Sequence, residues 1–416
     1  MIVGCNADSV YFEAVAISIA RSRLPLLLAI SIVLTASVIF ASLCLLVAAR
    51  VGHAAPWANQ AILTNDFIAH YAGARLAARG HAERVYDREE MHALEKEIAG
   101  SADAPLLRGL YPPFFYLMMM PLAFLDMTGA YRLFAATTLV AALLAAYRIA
   151  PHWHTLVLGA VFPAVAFSFA TGQNGNLSAA LVGTGLLLLP FKPVAAGVSF
   201  GLLAAYKPQL ALAIPFCLIG GGYYRTLTAL VATVAATILL SLVAFGSSTL
   251  LGFLSSIPEI TQGHFGEVAR QLGQRMPTVL VAVLQVTKDE TLARTLQGLA
   301  LAGALTGLIY VWRKSTQPTL RAISLVATMP LATPYFFDYD LAIFVIPLAF
   351  LMRKVRVSGL AWKHLFLLTV LWVLPPAITF LPGAMYWPIA PIAWTCLLAF
   401  AVFATNRAGP LRGLSP

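Results

Sequence analysis

Chemistry in this chain has to come from a few polar side chains set in short turns, because 60% of its residues are hydrophobic and only 11% are charged. Asp66 is the first acidic residue after Glu13 and heads the stretch TNDFIAHYAGARL. Gln173, Asn174 and Asn176 crowd into TGQNGN, Lys207 and Gln209 flank a proline in YKPQL, and Asp338 and Asp340 stand two apart in FFDYDL. A carboxylate can take a hydroxyl proton while that oxygen forms a new bond. An ammonium can stabilise negative charge that grows on a leaving group, and carboxamides offer both donors and acceptors to hydroxyl or phosphate oxygens. The Asp-Tyr-Asp spacing has the shape of a metal-binding pair, but the histidines are scattered and no other acidic pair has ligand-like spacing, so metal-independent chemistry is expected. Each group also has an ordinary explanation: Asp66 and FFDYDL as helix N-caps, TGQNGN as a tight helix connection, YKPQL as a proline-started helix.

The elements that must position these groups are membrane helices. A mean hydropathy of +0.82 and so few charges exclude a soluble globular domain. The net charge of +10 collects in Arg21/Arg23, Arg313/Lys314/Arg321, Arg353/Lys354/Arg356/Lys363 and Arg407/Arg412, between or beyond apolar runs. There it sets orientation; nucleic-acid binding is not expected. The cysteines, Cys5, Cys44, Cys217 and Cys396, are far apart and suggest neither disulfides nor a metal site.

In chain order, residues 1–24 read as a cytoplasmic segment and the run Pro25–Ala49 as a first transmembrane helix, too long for a cleaved signal. Residues 50–110 form a first extracytoplasmic loop. In it, Asp66 begins an amphipathic interfacial helix that Gly80 ends, with Phe67, Ile68, Tyr71, Ala72 and Leu76 on its apolar stripe, and Asp87–Gly100 is a second, solvated helix. LYPPFFY fixes where the next helix starts, and Leu117–Leu125 is too short to cross. Further apolar runs extend to Pro388–Thr405, several of them shortened by Pro and Gly. The expected fold is therefore an all-α polytopic membrane protein of about twelve transmembrane helices in one domain, residues 25–406, with a cytoplasmic tail at 407–416. Alternating the sides from the Lys/Arg clusters brings Asp66, the 173–176 turn, Lys207/Gln209 and Asp338/Asp340 to one extracytoplasmic face. Residues 246–291 join them there, and within that region Ser255–Arg275 is a polar stretch long enough to order over a bound lipid or acceptor.

The sequence order "DF..Y", "LYPP…PLA", "GQNGNL", "KPQ" and "TPYFFDYDL", from Asn65 to Pro347, resembles the bacterial glycosyltransferase family 87. That group contains the polyprenol-phosphate-mannose-dependent α-(1,2)-mannosyltransferases. The resemblance implies a GT-C-like bundle with interfacial helices in the first extracytoplasmic loop and an acidic residue just after the first transmembrane helix, a position that Asp66 matches. It implies transfer of mannose or a similar sugar from a polyprenyl-phosphate lipid to a glycolipid or glycan acceptor at the periplasmic face of the bacterial inner membrane, with no cofactor. On that expectation Asp66 is the general base of an inverting displacement. Lys207, Gln209, Gln173, Asn174, Asn176 and Tyr71 bind donor phosphate or sugar, and Asp338, Asp340, Arg275 and His264 orient the acceptor or its partners. A transporter or flippase of a lipid-linked or small polar substrate is the competing reading, since isolated charges among broken helices also describe those proteins. Against it stand the absence of a clear internal repeat and the long first loop.

Overall fold

The computed structural model describes residues 34–46, 66–102, 111–258, 275–359, 367–373 and 389–407, together with residues 31, 104, 106, 107 and 364. Among the described residues all regular structure is helical and there is no strand. The expected all-α architecture is present. Helix α1, Leu34–Leu46, lies inside the first predicted apolar run and turns Leu43, Leu45 and Leu46 outward.

Helix α2, Asp66–Ala78, starts at Asp66 and stops short of Gly80, as expected. Its surroundings differ from the expectation of a half-exposed interfacial helix: only Arg75 and Ala78 escape burial. The reason is local covering. The 3-10 turn Ala82–Tyr86 and helix α3, Arg88–Ala99, pack against it, as do helix α4, Pro113–Met119, and the 3-10 turn Met120–Phe124 that continues α4. Asp87 caps α3 by accepting from the Glu89 and Glu90 amides at 2.9 and 3.0 Å, and Gly100 closes it in the left-handed region. Pro113 supplies the fixed φ of a first helical position, and Pro121 withholds the N–H that α4 would need to continue, so this segment stays short.

Helix α5, Met127–Ile149, is a full-length apolar helix capped by Asp126. Helices α6, Trp153–Val161, and α7, Pro163–Ala170, bend by 61° at the residue before Pro163. Three more helices begin at or beside a proline: α9, Pro193–Tyr206, α10, Pro208–Ala211, and α11, Ile214–Gly220; α8, Gly175–Leu188, begins at a glycine. Helix α12, Tyr224–Pro258, is interrupted at Gly246, whose φ of 79° and ψ of 174° are accessible to glycine and strained for other residues. Beyond that kink it packs on the first loop, with the Phe253 ring 5.9 Å from Tyr86. Helices α13, Val279–Thr287, α14, Glu290–Lys314, and α15, Pro318–Ala332, follow. A 3-10 turn, Asp338–Phe344, leads straight into α16, Val345–Ser358, and α17, Ile389–Arg407, is the last described helix.

Among the described residues α5, α12, α14 and α17 are long and apolar enough to cross a membrane, and the bent pair α6 and α7 makes a fifth if counted as one span. Most of the other predicted runs are shorter helices with a Pro or Gly at or near one end, and the run His364–Leu381 is described only at residues 364 and 367–373. Helix length therefore supports four or five candidate crossings among the described residues, fewer than the twelve or so expected for the whole chain. The exterior is that of a bilayer protein: Leu144 on α5, Leu239 and Val243 on α12, Leu299 on α14 and Phe403 on α17 all face outward, a density of bare apolar groups that water would penalise and lipid accepts. The centre is α15, buried from Ala322 to Ala332, and the 3-10 turn Asp338–Phe344, buried throughout, packed among α7, α8, α14, α16 and α17. That turn carries two aspartates into the buried interior.

Candidate active site

Polar side chains from five separate segments meet at this turn. Arg275, just ahead of α13, reaches both carboxylates on its side of the site. Its Nη2 donates to Asp66 Oδ2 at 2.8 Å and to Asp338 Oδ1 at 3.3 Å, and its Nε donates to Asp338 Oδ2 at 3.1 Å. Asp338 Oδ1 also accepts from the Tyr339 backbone N–H at 2.8 Å. The opposite oxygen of Asp66, Oδ1, and the Arg275 Nη1 have no hydrogen-bond partner among the described residues. Arg275 keeps 20% of its side chain exposed and Asp66 keeps 10%. Burial opposes the guanidinium charge, but Asp338 and then Asp66 outweigh it and hold Arg275 firmly protonated.

On the other side of Tyr339 the arrangement closes. Lys207, in the break between α9 and α10, donates to Asp340 Oδ1 at 2.5 Å and to Asn174 Oδ1 at 2.7 Å, and its ammonium lies 4.7 Å from the centre of the Tyr339 ring. Asp340 uses its second oxygen to accept from the Phe337 N–H at 3.1 Å, so it caps the turn and pairs with Lys207 at once. Lys207 is 1% exposed, and burial pulls its pKa down while Asp340 pushes it back. The turn bearing Asn174 is drawn in by bare backbone: a Cβ on Gly175 would stand 1.9 Å from the Tyr339 carbonyl oxygen. The Tyr339 ring also sits 5.8 Å from the Arg275 guanidinium carbon, so both cations border one aromatic ring.

A family model described as glycosyltransferase family 87 matches residues 110–334. The chain belongs to that family. No curated protein and no solved structure matches it. The matched region of this family 87 protein contains the amide turn, Lys207 and Arg275; Asp66, Asp338 and Asp340 lie outside it.

Of the residues singled out in the sequence of this family 87 glycosyltransferase, Asp66, Arg275 and Asp338 form one cluster and Lys207, Asp340 and Asn174 the other. Gln173 joins through His70: His70 Nε2 lies 3.3 Å from Gln173 Oε1. Burial lowers the imidazole pKa to about 4, with Asp66 partly offsetting it, so His70 is neutral. Three expected residues stand apart. Asn176 donates to the Val165 carbonyl at 3.2 Å and pins α8 to α7. Tyr71 donates to the Leu125 carbonyl at 2.7 Å and anchors α2. Gln209 is half-buried and hydrogen-bonds no described residue. His264 lies outside the described residues. Sequence reasoning missed His70, Tyr111 and Tyr339. The signal for His70 was its spacing of four from Asp66, which puts both on one face of α2. Tyr339 was hidden between the two aspartates that drew attention.

Proposed function

We propose that this family 87 glycosyltransferase moves a sugar from a polyprenyl-phosphate donor to a lipid or glycan acceptor, with inversion, at the extracytoplasmic surface of a bacterial inner membrane. The observation that carries the reading is the Asp66–Arg275–Asp338 bridge: a carboxylate with one oxygen held and one uncommitted, beside a guanidinium with an uncommitted Nη1, at the more open end of a site wrapped in apolar helices. The acceptor hydroxyl attacks the anomeric carbon, its oxygen forming the new bond as the bond from that carbon to the phosphate oxygen breaks. The hydroxyl proton passes to Asp66 Oδ1, and polyprenyl phosphate leaves with the electron pair. Negative charge grows on that phosphate, and Arg275 is the cation in reach of it, planar and able to donate in pairs. After release, Asp66 returns its proton to water.

Arg275 suits the phosphate better than Lys207, because Lys207 is sealed and already bonded to Asp340 and Asn174. The two aspartates of the Asp-Tyr-Asp pair are likewise engaged, one with Arg275 and one with Lys207, so the reading uses no metal and no resident cofactor. The test is transfer itself. Purified protein in detergent, supplied with polyprenyl-phosphate [³H]mannose and a membrane lipid extract, should release polyprenyl phosphate and label a glycolipid of inverted anomeric configuration. A donor left intact across sugar types, or a product of retained configuration, overturns the reading.

A further inference from the structure

We infer that the Asn174 carboxamide recognises a hydroxyl of the transferred sugar, and that Lys207 is the positioning residue that aims it. This rests on the transfer reaction proposed above. An ammonium has hydrogens to give and no lone pair to accept with, so the Asn174 atom facing Lys207 at 2.7 Å is the amide oxygen. The NH₂ group must then point the opposite way. It does so with no hydrogen-bond partner, on a side chain that is 0% exposed. The Tyr111 hydroxyl interacts with Asn174 and could take one of the two N–H groups, which leaves the other without an acceptor. A buried N–H donor without an acceptor is an arrangement a folded chain rarely keeps unless a ligand or water oxygen completes it.

Charge selects the kind of oxygen. Asp66, Asp338 and Asp340 set three carboxylates against the two cations Lys207 and Arg275, leaving the site one negative charge in excess. With Arg275 taking the phosphate, a second anionic group deep beside Asp340 would be repelled, whereas a neutral hydroxyl oxygen is not. Lys207 does not touch the sugar in this arrangement. It fixes which way the amide faces while it is hydrogen-bonded to Asp340 and Asn174 and lies against the Tyr339 ring.

The test uses polyprenyl-phosphate donors whose sugar lacks one hydroxyl at a time. Wild-type protein should use one of these monodeoxy donors at least about tenfold less well in kcat/KM than the parent, because removing the hydroxyl leaves the amide unpaired. The exchange Asn174→Asp/Asp340→Asn keeps volume, net charge and an ion pair to Lys207 but removes the NH₂ at position 174. It should treat that monodeoxy donor and the parent alike. Lys207→Met/Asp340→Asn, which frees Asn174 to rotate, should lose part of the discrimination and provides the same readout where the exchange variant does not fold. Discrimination unchanged in either folded variant, or a wild type indifferent to every missing hydroxyl, overturns the inference while leaving the transfer reading intact. A wild type inert toward all polyprenyl-phosphate sugars sinks both.

Discussion

Asp338 and Asp340 are separated by a single residue, yet each meets its cation under opposite conditions. At the more open end one guanidinium serves two carboxylates and keeps an unused nitrogen, so its loyalties can shift when a third anion arrives. At the sealed end one ammonium is hydrogen-bonded to a carboxylate and an amide, lies against a ring and is 1% exposed. The first arrangement suits a group that must respond to charge during a reaction. The second suits one that must hold still.

Replacing Asp66 by asparagine tests the open end most severely. A carboxamide at that position can still accept from Arg275, so folding should survive, while kcat falls by about 10²- to 10⁴-fold and KM changes little. A rate within tenfold of wild type in the transfer assay would remove Asp66 from the base role. At the sealed end the expected damage is to stability instead. Lys207→Met strands a buried carboxylate and should cost about 3–5 kcal/mol, visible as a lower melting temperature in detergent. Adding Asp340→Asn removes that stranded charge, keeps an acceptor for the Phe337 N–H, and should restore most of the loss. If Lys207→Met melts like wild type, the two ends do not differ as described.

Gly175→Ala probes what keeps the ends in register. The new methyl must push the amide turn off the Tyr339 carbonyl, at about 1–3 kcal/mol of strain. Because both cations border Tyr339, activity should fall along with stability, and a variant of normal rate and melting point would show the contact to be dispensable.

Glu95 sharpens the comparison from outside the site, being a fully buried carboxylate whose described partner is a single backbone N–H, that of Leu107 at 3.0 Å. Burial, only partly offset by that hydrogen bond, raises its pKa to about 8. The folded state therefore binds this proton more tightly than the unfolded state between about pH 4.5 and 8, and stability from this group falls as pH rises through that window. Glu95→Gln should flatten the decline in melting temperature over those pH values, where an unchanged slope would deny the protonated carboxyl. His70 works the other way: its lowered pKa costs stability as pH falls from about 6.5 toward 4.

Much of the fold was legible because its punctuation is local. Pro113, Pro163, Pro193, Pro208 and Pro318 each mark a helix start, Gly80 and Gly100 follow helix ends, and Asp87 caps the helix it precedes. The number of crossings was less legible, since an apolar run looks the same whether it spans or breaks midway, as α6 and α7 do at Phe162. The polar turns could be gathered to one face by alternating sides, but their pairing could not. Nothing local to Arg275 tells that it meets Asp66, 209 positions away, or that Lys207 meets Asp340 across 133. Those partnerships follow from how helices stack, and stacking leaves its trace in volumes rather than in any nearby residue.

The missing side chain at Gly175 sets a gauge as well as a shape. Main chain rests on main chain there, and neither surface has rotamers with which to yield. The spacing between the amide-bearing loop and the acidic one is thereby set by backbone van der Waals contact, so thermal wandering of either segment carries the other along.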